Sequence, residues 1–407
     1  MQYNGNNSNF TTLSLTNFTV SVLENVSSSA SNMCVQNNLL TSANQSAPTP
    51  VMEFSAKYAT IHGYLSVFVC LFGLIANIAN VVVLTRKNMV SSTNVILTWL
   101  AIADLGTMLT YFPFAMHFYI LKDPQLQYYF TRGFGWVLFL LFHASFSIVC
   151  HTIAIWLTIA LAIFRFLYIW FPTKGMIYCN IRRAKIAIAL VIVSTVILCI
   201  PNYIMNKLSE MKTEACVNGS LRVVDLTYTV GMRQGTPFYD FNYVFNYWIQ
   251  ATCVKLIPCV MLTLLTILLI IAMHQAHKKR MALKNQGKKD ESDRHGEHNR
   301  TTLMLLAVVI LFLITEFPQG ILTLCNIFID KFYEKVYTPL GDLLDIMALC
   351  NNAINFVLYC SMSKQFRDTF ISIFCKCCPD KRPGWRKMGV VSSVTNGLTT
   401  KTTTTHV

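Results

Sequence analysis

The stretch "LAIFRFLYIWFP", residues 161–172, decides the fold. It ends the longest apolar run in the chain and carries one charge, Arg165, flanked by Phe164 and Phe166 with no acidic neighbour. A guanidinium is permanently charged, so its place at the rim of a hydrocarbon-like segment points to a chain whose solvent is a bilayer. The run that contains it, 134–168, is one of seven apolar stretches; the others cover 58–84, 93–119, 184–205, 243–274, 301–329 and 338–361. A helix needs about 20 apolar residues to cross a hydrocarbon core about 30 Å thick, and each stretch meets that length. The 407 residues are 54% hydrophobic and only 13% charged, with a mean hydropathy of +0.46, a balance that a water-soluble domain does not need. The expected fold is an all-α membrane protein, a seven-transmembrane helix bundle followed by a short amphipathic eighth helix.

The loops orient the spans. Basic clusters at 86–87, 180–185, 277–289 and 381–387 fall on one side, which the positive-inside rule makes cytoplasmic. The net charge of +14 is therefore mainly a topology signal, with some attraction to anionic lipid; the dispersed basic residues give no nucleic-acid surface. The opposite side carries sequons at Asn6, Asn9, Asn17, Asn25 and Asn44, and at Asn218 between spans four and five, all candidate glycosylation sites. The start, MQYNGNNSNF, has no basic segment before a short apolar core, so the first span is expected to act as its own insertion signal. The polar composition of the N-terminal tail predicts a segment without fixed fold. Most of the fourteen cysteines lie within spans, where free cysteine is an ordinary buried hydrophobe; Cys34 and Cys216 fall on the outer side, where they either pair or stay free. The expected division is an extracellular tail over 1–57, a receptor domain over 58–362, an amphipathic helix with a cysteine cluster over 363–378 and a cytoplasmic tail over 379–407.

Polar residues inside spans are costly, about 2.5–3.5 kcal/mol for a charge at a helix centre on insertion scales, and should face the bundle. They are Asn77 and Asn80, Asp104, His143, His151 and Arg165, Lys255, Glu316, and Asp342, Asp345, Asn351, Asn352 and Asn355 in spans one to seven. On these residues the chain resembles a rhodopsin-like G-protein-coupled receptor over about 58–378. Span two carries LAIAD at 100–104, with Asp104 at the family's central acidic position. Span three ends in FRFLYIWFP, 164–172, where the family has aspartate-arginine-tyrosine and a proline seven residues beyond the arginine; Arg165 and Pro172 keep that spacing. Span seven ends in NFVLY, 355–359, similar to asparagine-proline-x-x-tyrosine, with Asn355 and Tyr359 retained and Phe356 in place of proline. Span six reads LITEFPQGIL, 313–322, with Pro318 at the family's kink and Glu316 where tryptophan is usual. With HTIAIWLTIALAIFR in span three and LIPCVMLTLL in span five, this resembles the invertebrate myosuppressin and FMRFamide-related neuropeptide receptors and the nematode serpentine receptors of the same branch.

The resemblance implies roles. Arg165, with Phe164, Phe166, Asn355 and Tyr359, would form the activation and G-protein-coupling region. The family's lock between this arginine and two acidic residues lacks its carboxylates here, since Phe164 and roughly His298 stand in those places. Asp104, Asn77, Asn351 and Asn352 would form the polar core, a site for sodium or water; Ala154 replaces a common hydroxyl ligand and favours water, and Asn80 reads equally as an interhelical hydrogen bond. The ligand pocket would draw on Glu316, Gln319, His143, Tyr111, Asp342, Asp345 and Lys255, with Phe114, His117, Phe146 and Trp248 as aromatic or packing neighbours. Glu316 needs a cation, either Lys255 or one from the ligand. Peptides of the FMRFamide type end in arginine and phenylalanine amide, and carboxylate–arginine pairs are often bidentate; the preferred reading sends that arginine to Asp342 or Asp345 and keeps Glu316 as a deeper switch. The family's cysteine at the outer end of span three is absent, Leu140 standing near its place.

Beyond span seven, SMSKQFRDTFISIF repeats Phe366, Phe370, Ile373 and Phe374 at helical spacing, as a helix lying on the membrane does. Cys375, Cys377 and Cys378 follow as palmitoylation candidates, with zinc as the weaker alternative for want of a fourth ligand. The threonine-rich tail suits a receptor kinase and arrestin, and Thr405, His406 and Val407 fit a PDZ domain. No span carries a metal-spaced HExxH or a serine nucleophile with a nearby base, so no enzyme, cofactor or metal is expected. The two halves show no similarity of the kind that marks transporters, and span seven has no lysine for a retinal Schiff base. The expected function is a plasma-membrane receptor for an extracellular FMRFamide-like or myosuppressin-like amidated peptide, acting through heterotrimeric G proteins. A chemosensory receptor for an external small molecule is the alternative.

Overall fold

The computed structural model describes residues 49–121, 133–217, 220–233, 235–285, 289–329 and 331–374. Among the described residues, seven helices are long and apolar enough to cross a membrane: Pro50–Leu84, Ser92–Ile120, Phe134–Trp170, Ile181–Met205, Pro237–Ala276, Val309–Asn326 and Tyr333–Ser361. They are spans one to seven. Span six is the outer, C-terminal part of a longer helix, Lys289–Phe328.

The burial pattern is that of a bundle in an apolar solvent. Phe68, Ile75, Leu109, Leu190 and Val260 are exposed, whereas His62, Asn77, Asn80, Asp104, Thr158, Glu316 and Asn352 are buried. Without a hydrophobic drive between helices in lipid, small residues and interhelical hydrogen bonds bring them together. Gly63 is an example: a Cβ there would lie 2.5 Å from Cβ of Tyr119, so only glycine lets spans one and two approach this closely.

Two regions differ from the sequence expectation. Span one begins at Pro50 rather than near 58, because Thr49 caps the backbone N–H of Met52, proline fills the first helical position and Glu53 sits in the first turn. The connection between spans four and five, where hydropathy marks no element, is an antiparallel hairpin of β1 (Asn206–Val217) and β2 (Ser220–Met232) with an irregularity between Thr213 and Glu214. Tyr228 of β2 packs edge-on against Phe134 at the outer end of span three, so the hairpin leans on the mouth of the bundle.

Three spans leave regular α-geometry in their outer halves, with π-helical turns at Met116–Ile120, Gln250–Leu256 and Tyr333–Tyr337. The cause in span five is local. Pro258 has no N–H for the carbonyl four residues earlier, and the ladder widens upstream, the N–H of Ile257 reaching the carbonyl of Thr252. The wide turn aims Gln250, Val254 and Lys255 toward one interior face.

The inner side is held by short elements. A helix over Pro172–Tyr178 follows span three, and Gly175 packs so closely on it that a Cβ would lie 2.7 Å from the carbonyl oxygen of Leu167. After span seven, the helix Lys364–Phe374 buries Phe366 against Tyr359 and Phe356. It is tied to the turn after span one: Asn88 Nδ2 donates to Thr369 Oγ1 at 2.9 Å, and Gln365 Nε2 donates to the Asn88 carbonyl at 2.7 Å.

Candidate functional site

A cavity of about 410 Å³ opens between the outer halves of spans two to seven. Its floor is charged and paired. Lys255 Nζ lies 2.7 Å from Glu316 Oε2, 2.8 Å from Gln319 Oε1 and 3.3 Å from His151 Nε2, and His151 Nε2 lies 3.1 Å from Glu316 Oε1. These are the only ion pairs among the described residues. A buried carboxylate without a cation is expensive, and here spans three and five both present nitrogen to Glu316 of span six. Of the two cations open to Glu316 on sequence grounds, the internal one stands beside it. Glu316 is 1% exposed and does not line the cavity; Lys255, Gln319 and His151 do.

The wall on the span-seven side carries the opposite arrangement. Asp345 opens onto the cavity and accepts a hydrogen bond from the Tyr111 hydroxyl, 3.1 Å from Oδ2. A tyrosine hydroxyl has one proton, so with that proton on Asp345 the nearby His62 Nε2, at 3.0 Å, is the donor to the Tyr111 oxygen. Ser66 Oγ, 3.2 Å from the same nitrogen, continues this chain into span one. Asp342 lies one turn outward and takes the Tyr119 hydroxyl at 2.6 Å; it faces the seam of spans two and seven and does not line the cavity.

Other residues marked on the sequence lie elsewhere. His143 stacks on Phe114 at 4.7 Å and meets Tyr111 edge-on at 5.6 Å, inside the packing of spans two and three. His117 stacks on Trp136 at 3.5 Å. Phe146 stacks on Phe142, and Trp248 faces outward against Phe328. These aromatics therefore stand outside the cavity wall, because the π-turns and helix rotations set which side of each span is inward. The wall instead includes four tyrosines, Tyr243, Tyr247, Tyr333 and Tyr337, and the carboxamides Asn202, Asn206, Asn246, Gln250 and Asn326. Sequence reasoning missed these and gave His151 no role. The one signal available was the spacing of Asn246 and Gln250, one helical turn apart in an aromatic segment.

Below the floor lies a second, water-sized space of about 10 Å³ between Asp104, Asn351, Asn352 and Asn355, with Ala154 and Thr158 opposite. Asn355 Nδ2 donates to Asp104 Oδ2 at 3.0 Å, Asn77 Nδ2 to the Asn352 carbonyl at 3.0 Å, and Asn80 Nδ2 to Asn77 Oδ1 at 3.2 Å. His151 borders both spaces, so one side chain separates the cavity from the polar core.

At the inner end Arg165 is 8% exposed, its Nε has no hydrogen-bond partner, and among the described residues no carboxylate lies within 4.0 Å of it. Phe164 packs into the inner hydrophobic cluster, which includes Leu157, Leu161 and Tyr359, and Phe166 tilts against Trp170 at 5.6 Å. Asn6, Asn9, Asn17, Asn25, Asn44, Cys34, Cys375, Cys377, Cys378 and Thr405 to Val407 lie outside the described residues, as do Asn218 and the side chains of Cys216 and His298.

The sequence that builds this seven-helix bundle matches a known family and several known receptors. Residues 64–377 match the family described as serpentine type 7TM GPCR chemoreceptor, Srw. The chain is 30% identical to the G-protein coupled receptor dmsr-1 of Caenorhabditis elegans, over 78% of this chain and 68% of that one. It is 30% identical to the sex peptide receptor of Drosophila melanogaster, over 84% and 78%. It is 22% identical to the Drosophila melanogaster FMRFamide receptor, over 80% and 56%. The chain is a multi-pass membrane protein that belongs to the serpentine family of G-protein-coupled receptors.

Proposed function

We propose that this chain is a cell-surface receptor for an extracellular amidated peptide of the FMRFamide or myosuppressin kind, which places a cationic group against Asp345 in the outer cavity. The observation that carries the reading is the Asp345 carboxylate, open to the cavity and held by one hydroxyl. Glu316, the buried carboxylate of the outer half, already pairs with Lys255. A carboxylate so placed is suited to a guanidinium, which pairs with it through two parallel hydrogen bonds. Two relatives have peptide names, the sex peptide receptor and the FMRFamide receptor, which supports a peptide ligand.

In this reading the protein lies in the plasma membrane with residues 1–57 outside and glycosylated. Residues 58–362 bind ligand and couple, residues 363–378 lie on the inner leaflet with palmitoylated cysteines, and residues 379–407 meet receptor kinase, arrestin and a PDZ domain. Ligand engagement shifts spans six and seven around the polar core and frees Arg165 to receive a heterotrimeric G protein. Peptide potency on Asp345→Asn and Glu316→Gln tests the assignment: a loss of about 30-fold, about 2 kcal/mol, is expected for the first. Unchanged potency in Asp345→Asn removes it. The chemoreceptor description of the matched family favours a second reading, a receptor for external small molecules; a response to odorants with none to peptides selects it.

A further inference from the structure

Apart from Asp345 and the floor residues Lys255 and His151, the cavity is lined by side chains without charge. Asn202 of span four, Asn246 and Gln250 of span five and Asn326 of span six all line it. Each leaves a buried polar atom without a partner: Asn202 Nδ2, Asn246 Oδ1, Gln250 Nε2 and Asn326 Oδ1. An unpaired buried polar group costs about 1–3 kcal/mol, and four from three helices converge on one cavity. The geometry points to a subsite in which these four carboxamides receive an uncharged carboxamide of the ligand, its C-terminal amide. The inference rests on the reading of the cavity as the peptide site.

The chemistry selects the occupant. A primary amide offers two donors and an acceptor, and the four side chains offer donors and acceptors whichever way each is turned. Their terminal torsions are broad and soft, so the unpaired ends rotate to the cavity wall at little cost. A carboxylate at the same place could accept from Asn202 and Gln250 but would leave the oxygens of Asn246 and Asn326 without a donor, and the lysine on the cavity lining, Lys255, is already bound to Glu316 and Gln319. A site built to hydrogen-bond one group rejects an analogue that leaves its polar atoms unpaired by large factors. Asn246 and Gln250 stand one turn apart on the same face, so they are the pair to remove.

The experiment measures competition binding of paired peptides ending in arginine and phenylalanine, identical except for a terminal amide or free acid, on the full-length receptor in membranes. The unaltered receptor is expected to prefer the amide by about 100-fold. Asn246→Leu/Gln250→Leu should bring that ratio within about threefold of unity with little change in affinity for the acid, and the isosteric Asn246→Asp, which sets a negative charge in the subsite, should lower acid affinity more than amide affinity. Asp345→Asn should weaken both forms equally. A preference that persists in the double variant while Asp345→Asn still weakens both overturns the subsite alone. Binding of neither form to the unaltered receptor overturns the cavity reading and the subsite with it. Receptor surface level, measured by an outer epitope tag, separates lost binding from lost folding.

Discussion

Lys255 of span five and Glu316 of span six form an ion pair 2.7 Å apart inside the bundle, at 10% and 1% side-chain exposure. The pair fastens two spans whose separation defines the cavity floor, and His151 adds a third.

Removing one member leaves the other charge buried. Lys255→Met is expected to cost about 3–5 kcal/mol of stability, and the double variant Lys255→Met/Glu316→Leu to recover most of it. Thermal unfolding of the solubilised, ligand-free receptor measures both. A single variant as stable as the unaltered protein would mean that the pair holds nothing.

Arg165 has no carboxylate within 4.0 Å among the described residues, and the adjoining position is Phe164. Phe164→Asp supplies one and should hold the resting state by about 1 kcal/mol, a several-fold fall in ligand-independent G-protein activation. Equal basal activity at matched surface level contradicts this.

The inner helix Lys364–Phe374 docks through one ring. Phe366 is 1% exposed between Phe356 and Tyr359, so Phe366→Ala should cost about 3–5 kcal/mol. Asn88→Ala, which removes a side-chain donor to Thr369, should cost about 1 kcal/mol. Unfolding midpoints rank the two, and an inverted order would place the anchor in the hydrogen bonds.

Tyr111 joins His62 of span one to Asp345 of span seven through one hydroxyl. Tyr111→Phe keeps the ring and its packing on Phe114 but leaves buried His62 and the carboxylate without that partner. A loss of about 1–3 kcal/mol in stability is expected, with a smaller fall in peptide potency than Asp345→Asn produces. Paired unfolding and dose–response curves read the two effects separately.

The spans are legible in the sequence because lipid imposes length and hydropathy on every helix, and the inner residues Arg165, Asp104, Asn355 and Tyr359 are legible because they stand in short motifs. The cavity is much less so. Whether a residue lines it depends on helix rotation, which the π-turns before Pro258 and after Pro113 alter by fractions of a turn. That is why Lys255 and Gln250 share an interior face while Trp248 faces outward. Asn202 and Asn326 carry no signal in a single sequence, since an isolated carboxamide in a span reads as a helix–helix hydrogen bond. Asp342 and Asp345 look alike in sequence, and only the seam of spans two and seven separates the one that meets Tyr119 from the one that opens to the cavity.

A double-substitution cycle measures the contact between Asp345 and a ligand cation directly. Affinities are taken for a peptide ending in arginine and phenylalanine amide and for the same peptide with citrulline in place of arginine, on the unaltered receptor and on Asp345→Asn. The predicted result is a loss of about 30-fold or more from citrulline on the unaltered receptor and almost none on Asp345→Asn, a coupling of about 2 kcal/mol. An equal loss on both receptors would contradict it, because the arginine would then be bound elsewhere.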